Sequence, residues 1–277
     1  MRVDLLSQPA PDAPANEDHA FRADGLVGVL DGVTVPPGVE SGCGHGPAWY
    51  VRRLADHLAR TAVDPAVPLT DGLAAAIAAT REDHGGRCDL THPNTPAATV
   101  ALLRTSGDRA EYLVLSDALA VLEVGDRVQA VTDERFAAVV ADIRQLITVD
   151  VAPIGTPEHE ARVRQTVALR QERTNRPGGY WVAAATPHAA YEAVTGTVPL
   201  TGPDRLRRAA LLTDGASSAV DPYGLLDWPG LLDVLEQQGP AELIRRVREF
   251  ERTDHAGMTR PRYKRHDDAT VAFCRFE

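Results

Sequence analysis

The stretch "RRAALLTDGASSAV", residues 207–220, runs apolar from Ala209 to Leu212 and then meets Thr213, Asp214 and Gly215. A short aliphatic run that ends on turn residues reads as a buried strand. A carboxylate at the end of such a strand is costly unless a counter-ion or a hydrogen-bond network compensates it. The same feature recurs along the chain. "VGVLDG" ends on Asp31 and Gly32, "NED" places Glu17 and Asp18 ahead of a strand-like run, and "HDDATVAF" places Asp267 and Asp268 ahead of the last strand. Singly, Asp-Gly is a common turn dipeptide, and Asp-Asp before a strand is a solvated edge. Repetition beside very apolar strands points elsewhere. If these strands are neighbours, their carboxylates crowd together, and like charges so placed repel unless cations neutralise them. Oxygen donors of this kind suit hard divalent ions such as Mg²⁺ or Mn²⁺.

Outward from these motifs, Val3–Leu6 reads as a strand, and HAFRA (19–23) and LVGVLDG (26–32) as a hairpin about Ala23-Asp24-Gly25. The segment 36–46 is a glycine- and proline-punctuated loop. Apolar residues at helical spacing predict a helix over 47–62, and a second is predicted over 70–82 with Thr70 as its N-cap. The runs 97–105, 110–117, 118–126 and 127–132, separated by tight turns, predict a consecutive antiparallel meander. Helices follow at 134–147, 158–172, 228–237 and 240–252, and a terminal strand at 269–276. The order predicts a single α+β domain over 1–277, with antiparallel sheets in the centre and helices outside.

Of the 277 residues, 44% are apolar and 25% charged, and the net charge is −10 with a pI near 5.4. That balance argues against nucleic-acid or anionic-membrane partners, which select basic surfaces. Cys43, Cys88 and Cys274 are far apart and odd in number, so the cysteines by themselves indicate neither a disulfide framework nor a thiolate zinc site. No apolar leader is visible at the N-terminus and no run is long enough for a membrane span. A soluble cytoplasmic protein is expected.

"NED", "LDG", "LSD" (115–117), "LLTDG" and "DDATV", in that order, resemble the metal-dependent PPM-type (type-2C, PP2C-like) Ser/Thr protein phosphatases, in particular bacterial ones. The resemblance runs from about Asn16 to the end. It implies a four-layer α-β-β-α sandwich with two central antiparallel sheets and a binuclear Mn²⁺/Mg²⁺ centre. It further implies that Asp31 bridges the two metals, that the Gly32 carbonyl binds one, and that Asp214 and Asp267 are direct ligands. Glu17 and Asp18 would hold waters of the centre, Asp268 would support it from behind, and Asp117 would hold a third, weaker metal. The implied activity is hydrolysis of phosphate monoesters by metal-activated water, with phosphoserine or phosphothreonine in proteins as the substrate class. The alternatives are a phosphatase for small-molecule phosphates and a catalytically silent relative that binds phosphorylated partners.

Two departures from the family pattern stand out. Ala13 and Pro14 occupy the stretch where many members carry a phosphate-gripping arginine. Val33 follows the first Asp-Gly and opens a stretched loop to Gly46, in which His45 is a candidate general acid. The basic run 260–266 leads into Asp267, so Lys264 or Arg265 is a candidate replacement for the arginine.

Overall fold

Strands apolar at every position can be buried on both faces, and that property sets the architecture. The computed structural model describes residues 1–36, 38–147 and 150–276. Its elements are β1 (Arg2–Gln8), β2 (Asp18–Ala23), β3 (Leu26–Gly32), α1 (Pro47–Thr61), α2 (Leu69–Asp83), β4 (Ala98–Ser106) and β5 (Arg109–Leu115). There follow β6 (Leu119–Val124), β7 (Arg127–Val131), α3 (Glu134–Leu146), α4 (Pro157–Gln171), a 3₁₀ turn at Pro187–Glu192 and β8 (Val194–Pro199). The last third holds β9 (Leu206–Leu212), the single-turn α5 (Asp214–Ser217), α6 (Trp228–Gln238), α7 (Pro240–Thr253) and β10 (Ala269–Arg275).

One antiparallel sheet has the order β2-β3-β4-β5-β8 and the other β1-β10-β9-β6-β7. Alternation along each strand divides its side chains between two cores. Val27 and Val29 of β3, Ala101 and Leu103 of β4, and Ala209 and Leu211 of β9 fill the space between the sheets. Leu26 and Leu30, the alternate positions of β3, face α1 and α2. Leu212 and Phe273 pack on the other side with Leu231, Leu235, Leu243 and Val247 of α6 and α7. The layers are therefore α-β-β-α, as expected from the sequence.

Two local expectations need correction, and one strand was missed. The run 97–132 is not one meander: β4 and β5 pair in the first sheet, and β6 and β7 in the second. The chain changes sheets at Ser116, which holds φ 66°, a left-handed conformation uncommon for a residue with a side chain. Thr70 lies inside α2, whose N-cap is Pro68. Strand β8 went unread because VTGTVP carries glycine and proline and only one of its residues is buried. Pro37 of the predicted loop lies outside the described residues.

A cation also lies in the core. Arg104 of β4 is 1% exposed, pairs with Glu111 across the strand at 2.5 Å, and donates to the carbonyls of Ala62, Asp64 and Val67. It thereby ties the loop between α1 and α2 to the sheet. Removing one partner of a fully buried pair costs about 3–5 kcal/mol, an upper bound here because Glu111 keeps 28% of its side chain exposed. Arg104→Ala should lose at least about 1.5–3 kcal/mol in a denaturant titration, and a loss below about 1 kcal/mol would show the pair to be no better than a surface contact.

Candidate active site

The carboxylates singled out in the sequence come from both sheets and meet at one end of the sandwich. Asp18 opens β2 directly opposite Asp31 near the end of β3. Neighbouring β9 and β10 bring Asp214 and Asp267 alongside, one just after β9 and the other just before β10. Asp214 meets Asp31 at this end. Asp117 enters from the sheet-changing turn and adds its charge to the same group.

The Asp-Gly pairs are not turns. Asp31 and Gly32 are still in β3, and Asp214 begins α5. Their glycines answer to close approach instead. A Cβ on Gly215 would lie 1.9 Å from the Asp268 carbonyl oxygen, and one on Gly32 would lie 2.7 Å from the Glu17 carbonyl oxygen and from Pro47. Each glycine lets one carboxylate-bearing segment touch another.

Crowding shows in the electrostatics. Burial, followed by the charges of Asp18, Asp214, Asp267 and Asp117, holds the Asp31 carboxyl well above the usual range. Burial also holds Asp18 high, against hydrogen bonds from Thr213 and Thr270 that favour its charged form. The Thr213 hydroxyl donates to Asp18 at 2.8 Å. Asp267 is pushed up to about 6 by burial and by Asp214, with Lys264 pulling the other way. Asp214 is raised by burial among protein atoms and by Asp117. Because Asp214 is itself an exposed residue, its shift reflects crowding by charge more than loss of water. Glu17 is raised by burial against the Thr34 hydrogen bond and Lys264.

One ammonium enters this group. Lys264 Nζ donates to Asp267 at 2.7 Å and to the Thr34 hydroxyl at 2.6 Å, and Thr34 in turn donates to Glu17. Burial pulls the Lys264 ammonium down, but Asp267, Asp31 and Asp214 outweigh it and hold it above its ordinary value. Asp268 sits behind, buried, accepting from the backbone N–H groups of Ala10 at 2.7 Å and Glu17 at 2.6 Å. It fixes the chain that carries Glu17 and Asp18.

Two other members of the basic run are engaged away from the carboxylates. Arg262 pairs with Asp254 at 2.7 Å and also donates to the Arg265 carbonyl, while His266 bonds Glu251 at 2.7 Å. Among the described residues no carboxylate of the site pairs with Arg265, whose Nε is buried without a partner. Of the two candidate replacements, only Lys264 reaches the carboxylates. His45 stacks on Trp49 at 4.0 Å, and its Nδ1 lies 3.4 Å from Cys43 Sγ. The cysteines also correct the sequence reading, because Cys43 and Cys88 are adjacent in space, with His45 and His84 beside them.

Two participants were not singled out in the sequence. Thr34 joins Glu17 to Lys264, and a threonine in a loop carries no signal. Arg170, near the end of α4, lies beside Asp117 and counters the burial that raises that carboxyl. Its guanidinium also lies over the Phe136 ring at 4.9 Å. A charged residue on a helix reads as a solvated face, so only the packing of α4 marks it.

No protein-family model matches the sequence and no curated protein matches it. Solved structures do. The Ser/Thr phosphatase PstP/Ppp of Mycobacterium tuberculosis aligns over 100% of this chain and 98% of its own, at 19% identity and a TM-score of 0.59. The PstP catalytic domain in complex with two manganese ions aligns over 98% and 96%, at 19% identity and a TM-score of 0.56. The PPM Ser-Thr phosphatase MsPP of Mycobacterium smegmatis, in complex with cacodylate, aligns over 100% and 99%, at 14% identity and a TM-score of 0.54.

Proposed function

We propose that this chain, which has the fold of the bacterial PPM-type Ser/Thr phosphatases, is a metal-dependent phosphomonoester hydrolase acting on phosphoserine or phosphothreonine in proteins. The observation that carries the proposal is the meeting of Asp18, Asp31, Asp117, Asp214 and Asp267 from two sheets around one ammonium. The donor set fits hard divalent cations: every donor is an oxygen, and the carboxylates outnumber Lys264, so the group stays ionised together only with added positive charge. Asp31, Asp214 and Asp267 would hold the ions, with the Gly32 carbonyl, and Asp117 would hold a weaker one. Glu17 and Asp18 would orient waters there, and Asp268 would keep both in place through the backbone. When bound, the cations supply an acidified water as nucleophile and neutralise phosphate charge. That PstP binds two manganese ions in the same fold supports the choice of Mn²⁺ or Mg²⁺.

The chain's own contribution begins with Lys264. An ammonium has three donors; Thr34 and Asp267 take two, leaving one for a phosphate oxygen. Held charged by its neighbours, Lys264 is the group we assign to grip phosphate in place of the arginine missing near Ala13. The reading is tested by measuring Mn²⁺-dependent release of phosphate from a phosphothreonine peptide and from an aryl phosphate. No turnover on either, with metal bound, would leave a silent binding protein.

Losing a charge-assisted hydrogen bond costs about 1.5–3 kcal/mol, or about one to two powers of ten in affinity. Lys264→Ala should therefore raise KM for the aryl phosphate about 10- to 100-fold while changing Mn²⁺ affinity less. An unaltered KM, with unaltered inhibition by free phosphate, would move phosphate recognition to another group, with Arg170 the next to test.

A further inference from the structure

A second cluster of ligand-type side chains lies away from the carboxylates, where the loop that follows Gly32 meets the end of α2. The donor atoms of Cys43, His45, His84 and Cys88 all lie within 4.8 Å of one another. Cys43 Sγ is 3.4 Å from Nδ1 of His45 and 3.4 Å from Nδ1 of His84, and Cys88 Sγ is 3.5 Å from His45 Nδ1. Around a tetrahedral zinc, with Zn–S about 2.3 Å and Zn–N about 2.0–2.1 Å, the sulfur–nitrogen edge is about 3.6 Å. The three measured edges match that value. The two sulfurs, 2.9 Å apart, are closer than the about 3.8 Å of two zinc-bound thiolates, so one thiol must swing outward by about an ångström on binding.

We infer that Cys43, His45, His84 and Cys88 form a structural zinc site that staples the stretched loop after Gly32 to the C-terminal end of α2. Two thiolates and two neutral imidazoles balance the charge of a zinc ion, so the half-buried site is neutral when filled. The mixed sulfur and nitrogen set selects zinc over the hard ions suited to the carboxylates. An iron–sulfur cluster needs ligands spread over two irons, and these four converge on one point. With four protein ligands the site is closed, which is the mark of a structural rather than a catalytic zinc.

Local structure is arranged for this. The ligands arrive as Cys-x-His and His-x₃-Cys. Gly85 and Gly86, at φ +61° and +70°, turn the chain directly after His84 so that Cys88 returns beside it. The backbone N–H of His45 donates to Cys43 Sγ at 3.3 Å, the kind of outer contact that supports a metal thiolate. Asp89 N–H to the Gly42 carbonyl at 2.8 Å and the Asn94 amide to the Glu40 carbonyl at 2.9 Å hold the two segments in register. The loop so fixed also carries Thr34, which bonds Lys264, so the staple steadies one wall of the proposed active site. Committed to zinc through Nδ1, His45 is withdrawn as the leaving-group acid.

The full chain purified in reducing buffer without added metal should carry about one zinc per chain by elemental mass spectrometry. Replacing zinc by Co²⁺ should give thiolate charge-transfer and tetrahedral ligand-field bands, and change the emission of Trp49, which stacks on His45 and meets His84 edge-on at 4.7 Å. Cys88→Ser should lose the zinc and those bands, whereas Asp31→Asn should keep both, which separates this site from the carboxylate centre. Should Cys88→Ser fail to fold, alkylation of the wild type decides: Cys43 and Cys88 should resist alkylation until a chelator removes zinc. Absence of zinc with freely alkylated thiols would overturn the inference. So would a Cys43–Cys88 disulfide in natively isolated protein, seen as a mass lower by two hydrogens, or zinc that depends on Asp31 and not on Cys88.

Discussion

Asp31→Asn is expected to reduce Mn²⁺-dependent hydrolysis of an aryl phosphate by well over about 100-fold. Loss of a mere outer partner of a metal ligand costs about 10–100-fold, and Asp31 stands in the middle of the group, opposite Asp18 in the strand register and beside Asp214. The amide is the same size, so packing of β3 is undisturbed and the change is one of charge and donor type. Removing one of several repelling carboxylates should also make the metal-free protein slightly more stable, so activity and stability move in opposite directions. Asp214→Asn and Asp267→Asn should be nearly as severe, and Asp117→Asn milder, since Arg170 already offsets that charge. An Asp31→Asn protein that turns over normally would mean that these carboxylates are only a crowded sheet edge. A fall in activity accompanied by a large fall in melting temperature would point to folding damage instead.

Most strands, and the α+β class with them, were legible because apolar runs bounded by turn residues are strong local signals, as in LVGVLDG and AALLTDG, whereas the four layers were implied by the family resemblance and β8 went unread. The carboxylates were legible for a related reason: each ends or precedes such a run. What could not be read depends on contacts between distant segments. The chain's change of sheet at Ser116 rests on one left-handed residue. Lys264 and Arg265 are adjacent and alike in sequence, and only the bonds of Lys264 to Asp267 and Thr34 show which of the two enters the site. Counting cysteines alone hid the second cluster, since half of its donors are histidines; reading Cys43-x-His45 and His84-x₃-Cys88 as ligand pairs would have exposed it.

Manganese should raise the melting temperature, and by more at pH 7.5 than at pH 5. The Asp267 carboxyl titrates at about 6 in the folded protein, and Asp18 and Asp31 are also raised, whereas in the unfolded chain an Asp titrates near about 3.9. The folded state therefore binds these protons more tightly. The stabilising contribution of Asp267 is full below about pH 4 and is lost as pH rises through about 6, and those of Asp18 and Asp31 are likewise lost as pH rises. Above that, the metal-free site holds uncompensated repulsion, which a bound cation removes. At 100 times its dissociation constant a ligand stabilises by about 2.7 kcal/mol, and about 2–4 °C per kcal/mol makes the shift roughly 5–10 °C. At pH 5 protons compete for the same oxygens, so the increment should shrink. Thermal scans with Mn²⁺ titrated at both pH values, on protein that retains its zinc, would measure it. Asp31→Asn should blunt the shift. An increment equal at the two pH values would mean that the cation binds somewhere other than these carboxylates.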